Sequence, residues 1–181
     1  DDLEDLHPVL GHLHRAGPLT VPGGDDGGLS GPGQRLGDGG GDFRQHLQAF
    51  ERQAGFVVQA ERFGVDVLRS PDGAEFTRIV YDRTNQQLQI DRRTSSSNDQ
   101  DQHDIHSGDL ALPPDQPLTL HIFVDRSIIE VFANNRVCAT TRVYPTRRDS
   151  LGVAVFAEGG AALVNSIDAW RLATIWPIQS E

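Results

Sequence analysis

From Phe56 onward the chain breaks into short segments rich in Val, Ile, Phe and Thr, each closed by turn residues before a helix can develop. Phe56 to Ala60 is followed by Phe63 to Leu68, a Ser70-Pro71-Asp72-Gly73 turn, Phe76 to Tyr81 and Gln87 to Asp91. That order reads as two successive hairpins. Further segments run Leu118 to Val124, Ser127 to Ala133, Arg136 to Val143, Leu151 to Ala157 and Ala162 to Leu172. Leu118, Leu120, Ile122 and Val124 recur at every second position, so one face of that strand is buried. Asn134-Asn135 predicts a hairpin turn, because asparagine tolerates positive φ. Many short strands with brief connections predict an all-β antiparallel sandwich or barrel, not a parallel α/β fold. Leu120, Ile122, Val124, Ile129, Val131, Val153 and Val155 are expected in its core.

The N-terminal part has a different character. Ten of the 19 glycines fall between Pro22 and Gly41, where neither helical nor strand periodicity is sustained. Residues 1–55 read as a glycine-rich segment, a linker or the first strands, and 56–176 as the sandwich module. Within the former, Phe43 to Arg52 fits a short helix with Phe43, Leu47 and Phe50 on one face, or a strand imposed by tertiary contacts. Gly, Pro, Asp, Arg and His dominate residues 1–62, a pattern that an out-of-frame reading of GC-rich coding sequence also produces.

Composition narrows the function classes. Sixteen Arg, no Lys and 26 acidic residues give 16 − 26 = −10, which argues against a nucleic-acid partner. The longest apolar runs are a few residues, far below the roughly 20 that cross a bilayer, so no membrane partner is expected. The start, Asp1-Asp2-Leu3-Glu4-Asp5, lacks the basic and apolar regions of a signal peptide, and the chain, without methionine, reads as processed, truncated or excised. A lone Cys138 excludes an internal disulfide framework and a thiolate-rich zinc site.

Few residues offer chemistry. Asp125 and Glu130 are the one tempting carboxyl pair, but a hairpin turn between them sets them apart, and Asp125 is expected to order that turn. His103 and His106 with Asp101 and Asp104 could chelate a metal on a helical turn, yet the run from Thr94 to Gly108 reads as a solvated loop; no metal or cofactor is expected. Gly28-Leu29-Ser30-Gly31-Pro32 resembles a nucleophile elbow only by chance, since proline displaces the last glycine. Of 12 aromatic residues most are demanded by the core, Trp170 among them, leaving Tyr81 and Tyr144 as open candidates for sugar stacking beside Asp125 and Glu130.

Two blocks carry a family resemblance: LTLHIFVDRSIIEVFANN from Leu118 to Asn135 and DSLGVAVFAEGGAALVNSIDAWRL from Asp149 to Leu172. With the upstream piece from Phe63 to Ser95, including Tyr81-Asp82-Arg83 and Asp91-Arg92-Arg93, they resemble the C-terminal β-sandwich of glycoside hydrolase family 32, the invertases, levanases and inulinases. The resemblance implies a two-sheet sandwich of the concanavalin-like jelly-roll kind, a secreted protein, and a partner in the form of a catalytic propeller domain or chain. It also implies a fructan or sucrose-type sugar. The family's catalytic motifs, Asn-Asp-Pro-Asn, Arg-Asp-Pro and Glu-Cys, do not occur, and Arg147-Arg148-Asp149-Ser150 lacks the proline. No catalytic residue is therefore carried over. The reading is an accessory sandwich module, with a free-standing fructan- or sugar-binding lectin-like module as the alternative.

Overall fold

The computed structural model describes residues 59–114 and 116–169 with their side chains, and residues 14–16, 19–21, 44–49, 170 and 171 as strand backbone. Thirteen strands and no helix occur among the described residues. In chain order they are β1 (His14–Ala16), β2 (Leu19–Val21), β3 (Arg44–Ala49), β4 (Arg62–Arg69), β5 (Thr77–Asp82), β6 (Gln87–Asp91) and β7 (Ile105–Asp109). Then follow β8 (Leu120–Asp125), β9 (Ile128–Ala133), β10 (Val137–Arg142), β11 (Gly152–Glu158), β12 (Ala162–Val164) and β13 (Ile167–Arg171). A six-stranded sheet runs β1-β13-β3-β8-β9-β10, a five-stranded sheet β11-β4-β5-β6-β7, and β12 pairs with β2. Every pairing is antiparallel.

The core lies between the two larger sheets. Leu120, Ile122 and Val124 of β8 and Ile129, Val131 and Ala133 of β9 face Val65, Ile79, Tyr81, Leu88 and Ile90 across the sandwich. Alternation does this: in β8 each inward residue is buried and each neighbour only partly so. Six of the seven residues expected in the core are buried, while Val153 packs against it only in part. The register of β11 against β4 shifts between Gly152 and Ala154, and such an irregularity re-aims the residue inside it.

Turn chemistry closes the hairpins as the sequence suggests. Asn134 and Asn135 have φ of 51° and 52° between β9 and β10, and Asn134 also accepts from the Thr119 amide and donates to the Pro117 carbonyl. Gly73, at φ 71°, donates its amide to the Ser70 carbonyl at 3.0 Å.

Three expectations need correction or completion. The run from Thr94 to Gly108 is not loop throughout: Ile105–Asp109 pairs with β6 as an edge strand, exposed along its whole length. Residues within 43–52 form a strand, β3, held between β13 and β8. The final apolar segment is split into β12 and β13. The stretch from Pro22 to Gly41 and the segment Phe56 to Val58 lie outside the described residues.

Candidate functional site

Several connections meet at one end of the sandwich: the turn 70–76 before β5, the loop 92–104 before β7, the β8–β9 hairpin at Asp125-Arg126-Ser127, and the crossover 143–151 from β10 to β11. The Val143 amide donates to the Ser127 carbonyl, and the Ser97 and Thr146 hydroxyls share a hydrogen bond, so these loops touch.

Glu75 organises half of this end. Ser70 Oγ donates to Asp72 and accepts from the Glu75 amide, which folds the turn and sends the Glu75 side chain inward, leaving it 2% exposed. Its carboxylate accepts from the Thr146 amide at 2.8 Å, the Thr146 hydroxyl at 2.7 Å, the Arg147 amide at 3.2 Å and the Ser150 hydroxyl. Burial pushes this carboxyl up, but the hydrogen bonds from Ser150, Thr146 and Arg147 outweigh it and hold the group below its ordinary value. Arg147 then bridges outward, with Asp72 at 2.6 Å and Asp149 at 2.8 Å. Hydrogen bonds from Ser70, Arg147 and the Ala74 amide hold Asp72 well below the usual carboxylate range.

Arg92 organises the other half. Its guanidinium, 4% exposed, donates to Asp104, to Gln102 at 3.0 Å, to the Arg142 carbonyl at 3.1 Å and to His106 Nε2 at 2.9 Å. Arginine has no acceptor, so His106 Nε2 accepts and its proton sits on Nδ1. Through these bonds one side chain ties β6 and β7 of one sheet to β10 of the other. His103 differs: both ring nitrogens stand 3.1 Å from carbonyl oxygens, of Asn98 and Arg93, which favours the doubly protonated ring and raises its pKa. His103 thus bonds to backbone, His106 and Asp104 to Arg92, and Asp101 accepts from the Ser96 hydroxyl at 2.6 Å; no group of three metal-capable side chains converges among the described residues.

The sequence candidates separate. Tyr144 follows β10 and is 50% exposed on the clamped crossover. Tyr81 is 3% exposed, stacked edge-on against Phe63 at 5.6 Å, with its phenol oxygen met by the Leu112 amide; no ring face is open to a sugar. Asp125 stands opposite Ile128, and Glu130 opposite Phe123, so both belong to the outward face of the six-stranded sheet as diagonal neighbours about 7 Å apart. They lie on one open surface and do not face each other across a cleft. Glu75 is not singled out by the sequence and Arg92 only as part of the Asp91-Arg92-Arg93 signature, with no role, because their partners lie 71–75 and 10–50 positions away.

The outward faces of the two sheets contrast. On the five-stranded sheet Arg78 holds Asp66 with Nε at 2.7 Å and a second nitrogen at 3.1 Å, and Glu158 at 2.7 Å, while Arg62 takes the other Glu158 oxygen at 2.8 Å. The same guanidinium lies 4.0 Å from the Phe156 ring centre and 5.0 Å from that of Phe76. Burial pushes the Asp66 carboxyl up against the pull of Arg78 and Arg69. On the six-stranded sheet Phe123 and Phe132 pack edge to face at 6.0 Å, with Glu130 and Arg142 exposed beside them.

Comparison with known proteins gives the frame for these observations. The family described as glycosyl hydrolases family 32 C terminal matches residues 31–171. The levanase of Bacillus subtilis (strain 168) is 33% identical over 138 residues, which are 73% of this chain and 20% of the levanase. The solved structure of Aspergillus kawachii beta-fructofuranosidase complexed with glycerol superposes with TM-score 0.69 at 21% identity, over 94% of this chain and 29% of that one. The galectin LEC-6 of Caenorhabditis elegans shares the fold alone, at TM-score 0.52 and 12% identity over 84% of this chain and 89% of its own. The chain thus spans about a fifth of the levanase it matches. A sandwich with this strand order, a family match over most of its length and a levanase relative together place the chain in the C-terminal module family of the family 32 glycosyl hydrolases.

Proposed function

We propose that the chain acts as a non-catalytic sandwich module of a fructan- or sucrose-cleaving hydrolase, supporting a catalytic propeller and leaving bond cleavage to it. The observation that carries this reading is the placement of Asp125 and Glu130. A retaining glycosidase needs carboxyls about 5–5.5 Å apart across the scissile bond, one of them kept protonated in a dry pocket. These two project from one open sheet face, and Glu130 is exposed to water. Homogeneous protein assayed for fructose release from sucrose, inulin and levan should give none above buffer. Turnover that Asp125→Asn or Glu130→Gln abolishes would move the chemistry into the sandwich and end the proposal.

A second reading, a free fructan-binding module, is favoured by Tyr144: its ring is half exposed on a crossover that Glu75 fixes, next to the Asp125 hairpin. Binding of levan or inulin by the isolated chain, weakened by Tyr144→Ala, would support it; absence of binding would leave the support role alone.

A further inference from the structure

The turn between β4 and β5 carries a reactive dipeptide. Asp-Gly occurs three times in the chain, at Asp26-Gly27, Asp38-Gly39 and Asp72-Gly73. In such a pair the glycine amide can attack the aspartate side chain, because no glycine side chain hinders closure of the five-membered ring. At Asp72 the attack forms a bond from the Gly73 nitrogen to Cγ and breaks a carboxyl C–O bond. The hydroxyl leaves as water, taking the amide proton with it. A second water opens the imide, and opening at the main-chain carbonyl routes the backbone through the side-chain carbon as isoaspartate. The first step needs a neutral carboxyl, since a carboxylate has no hydroxyl to lose, and an amide free to move onto Cγ.

The fold withholds both. Asp72 is exposed to water, but its Oδ1 accepts from Ser70 Oγ at 2.7 Å and from the Ala74 amide at 3.1 Å, and its Oδ2 from Arg147 at 2.6 Å. Bonds of this kind favour the anion. The Gly73 amide is engaged as well: it donates to the Ser70 carbonyl at 3.0 Å, which also accepts from Arg69 at 3.1 Å. Ser70, Ala74 and Arg69 are local to the turn, whereas Arg147 arrives from the crossover, 75 positions away. Asp149 grips the rest of that guanidinium at 2.9 and 2.8 Å, which fixes its aim. We propose that Asp72-Gly73 is a latent site of backbone modification, and that Arg147 is the group that keeps it closed. The turn alone gives Asp72 two donors, and the crossover supplies the third and only charged one. Survival of the dipeptide is therefore conditional on contact between 70–76 and 143–151.

The product would undo the structure that prevented it. Ser70 and Glu75 are joined twice across the turn, by the Glu75 amide to Ser70 Oγ at 3.0 Å and by the Ser70 amide to the Glu75 carbonyl at 2.7 Å. An extra backbone carbon between them breaks that register and withdraws the Glu75 carboxylate from Thr146 and Ser150.

The test is prolonged incubation of the full 181-residue chain at neutral pH, followed by peptide mass spectrometry with fragmentation that separates isoaspartyl from aspartyl residues. Asp26-Gly27 and Asp38-Gly39 serve as references within the same molecule. Arg147→Ala should speed modification at Asp72 about tenfold, the rise in neutral fraction when a carboxyl's pKa climbs by one, and leave Asp26 and Asp38 at their native rates. Arg147→Lys, which keeps the charge but not the fork, should fall between Arg147→Ala and the native chain. Ser150→Ala loosens the hold on Glu75 without touching the Arg147 contact, so it should match the native rate. Melting curves identify any variant that unfolds; if Arg147→Ala does, Arg147→Lys decides by the same sign. Equal rates at Asp72 in the native chain and the Arg147 variants would overturn the proposal. So would an equal acceleration in Ser150→Ala, which would assign protection to the loop end as a whole, or a native rate at Asp72 as fast as that of the chain unfolded in urea.

Discussion

The turn that ends β4 and the β8–β9 hairpin illustrate two uses of a carboxylate. Glu75 is buried without a cation and survives there because hydroxyls and amides from a distant loop supply four hydrogen bonds. Glu130 stands mid-strand in water and makes none. The difference teaches which acids hold the fold together and which remain available to something outside it. A buried polar group that loses its partners costs about 1–3 kcal/mol, whereas an exposed one costs next to nothing to change.

The sharpest way to break the comparison is Glu75→Ala. It orphans the Ser150 hydroxyl and two amides, leaves the Thr146 hydroxyl with Ser97 as its partner, and should lower unfolding stability by about 3 kcal/mol in urea titrations. Arg78→Ala comes next: it leaves the buried Asp66 with Arg69, at 4.0 Å, as its remaining cation and uncovers the Phe156 ring, with an expected loss of about 2–3 kcal/mol. A smaller loss would mean that Asp66 takes up a proton.

Acid should separate the two regions again. Asp72, Glu75, Asp82 and Asp91 all have folded-state pKa values held below their ordinary ones, so their stabilisation is present above the unfolded values near pH 4. It is lost as pH falls through the folded values. His103 works in the opposite sense: its raised pKa stabilises below about pH 6.5 and the contribution is lost as pH rises through the folded value. Melting temperature measured from pH 7 to pH 3 should therefore fall on the acid side, with a shallower decline in Glu75→Gln. Glu130→Gln should shift stability by less than about 0.5 kcal/mol, and a larger change would show that the outward face serves the fold.

Legibility followed the same division. Strands with one buried face could be read from their alternation, as in β8, and the Asn134-Asn135 turn from its tolerance of positive φ. β7 could not, because an edge strand exposed on both faces needs no alternation and Ile-His-Ser-Gly-Asp resembles loop text. Tyr81 and Tyr144 look alike in sequence; only the packing against Phe63 distinguishes the closed ring from the open one. The outward position of Glu130 was readable from the hairpin, but its lack of a partner was not, since pairing depends on residues distant in sequence.

The Glu75 clamp has a mechanical meaning as well. The crossover 143–151 is the span by which the chain leaves the six-stranded sheet and enters the five-stranded one, and Glu75 projects from a turn of the latter. Tension drawn along the crossover would load its four hydrogen bonds together, not one after another. The connection thus behaves as a strut that resists sliding of one sheet over the other, so a force applied to either layer is delivered to both.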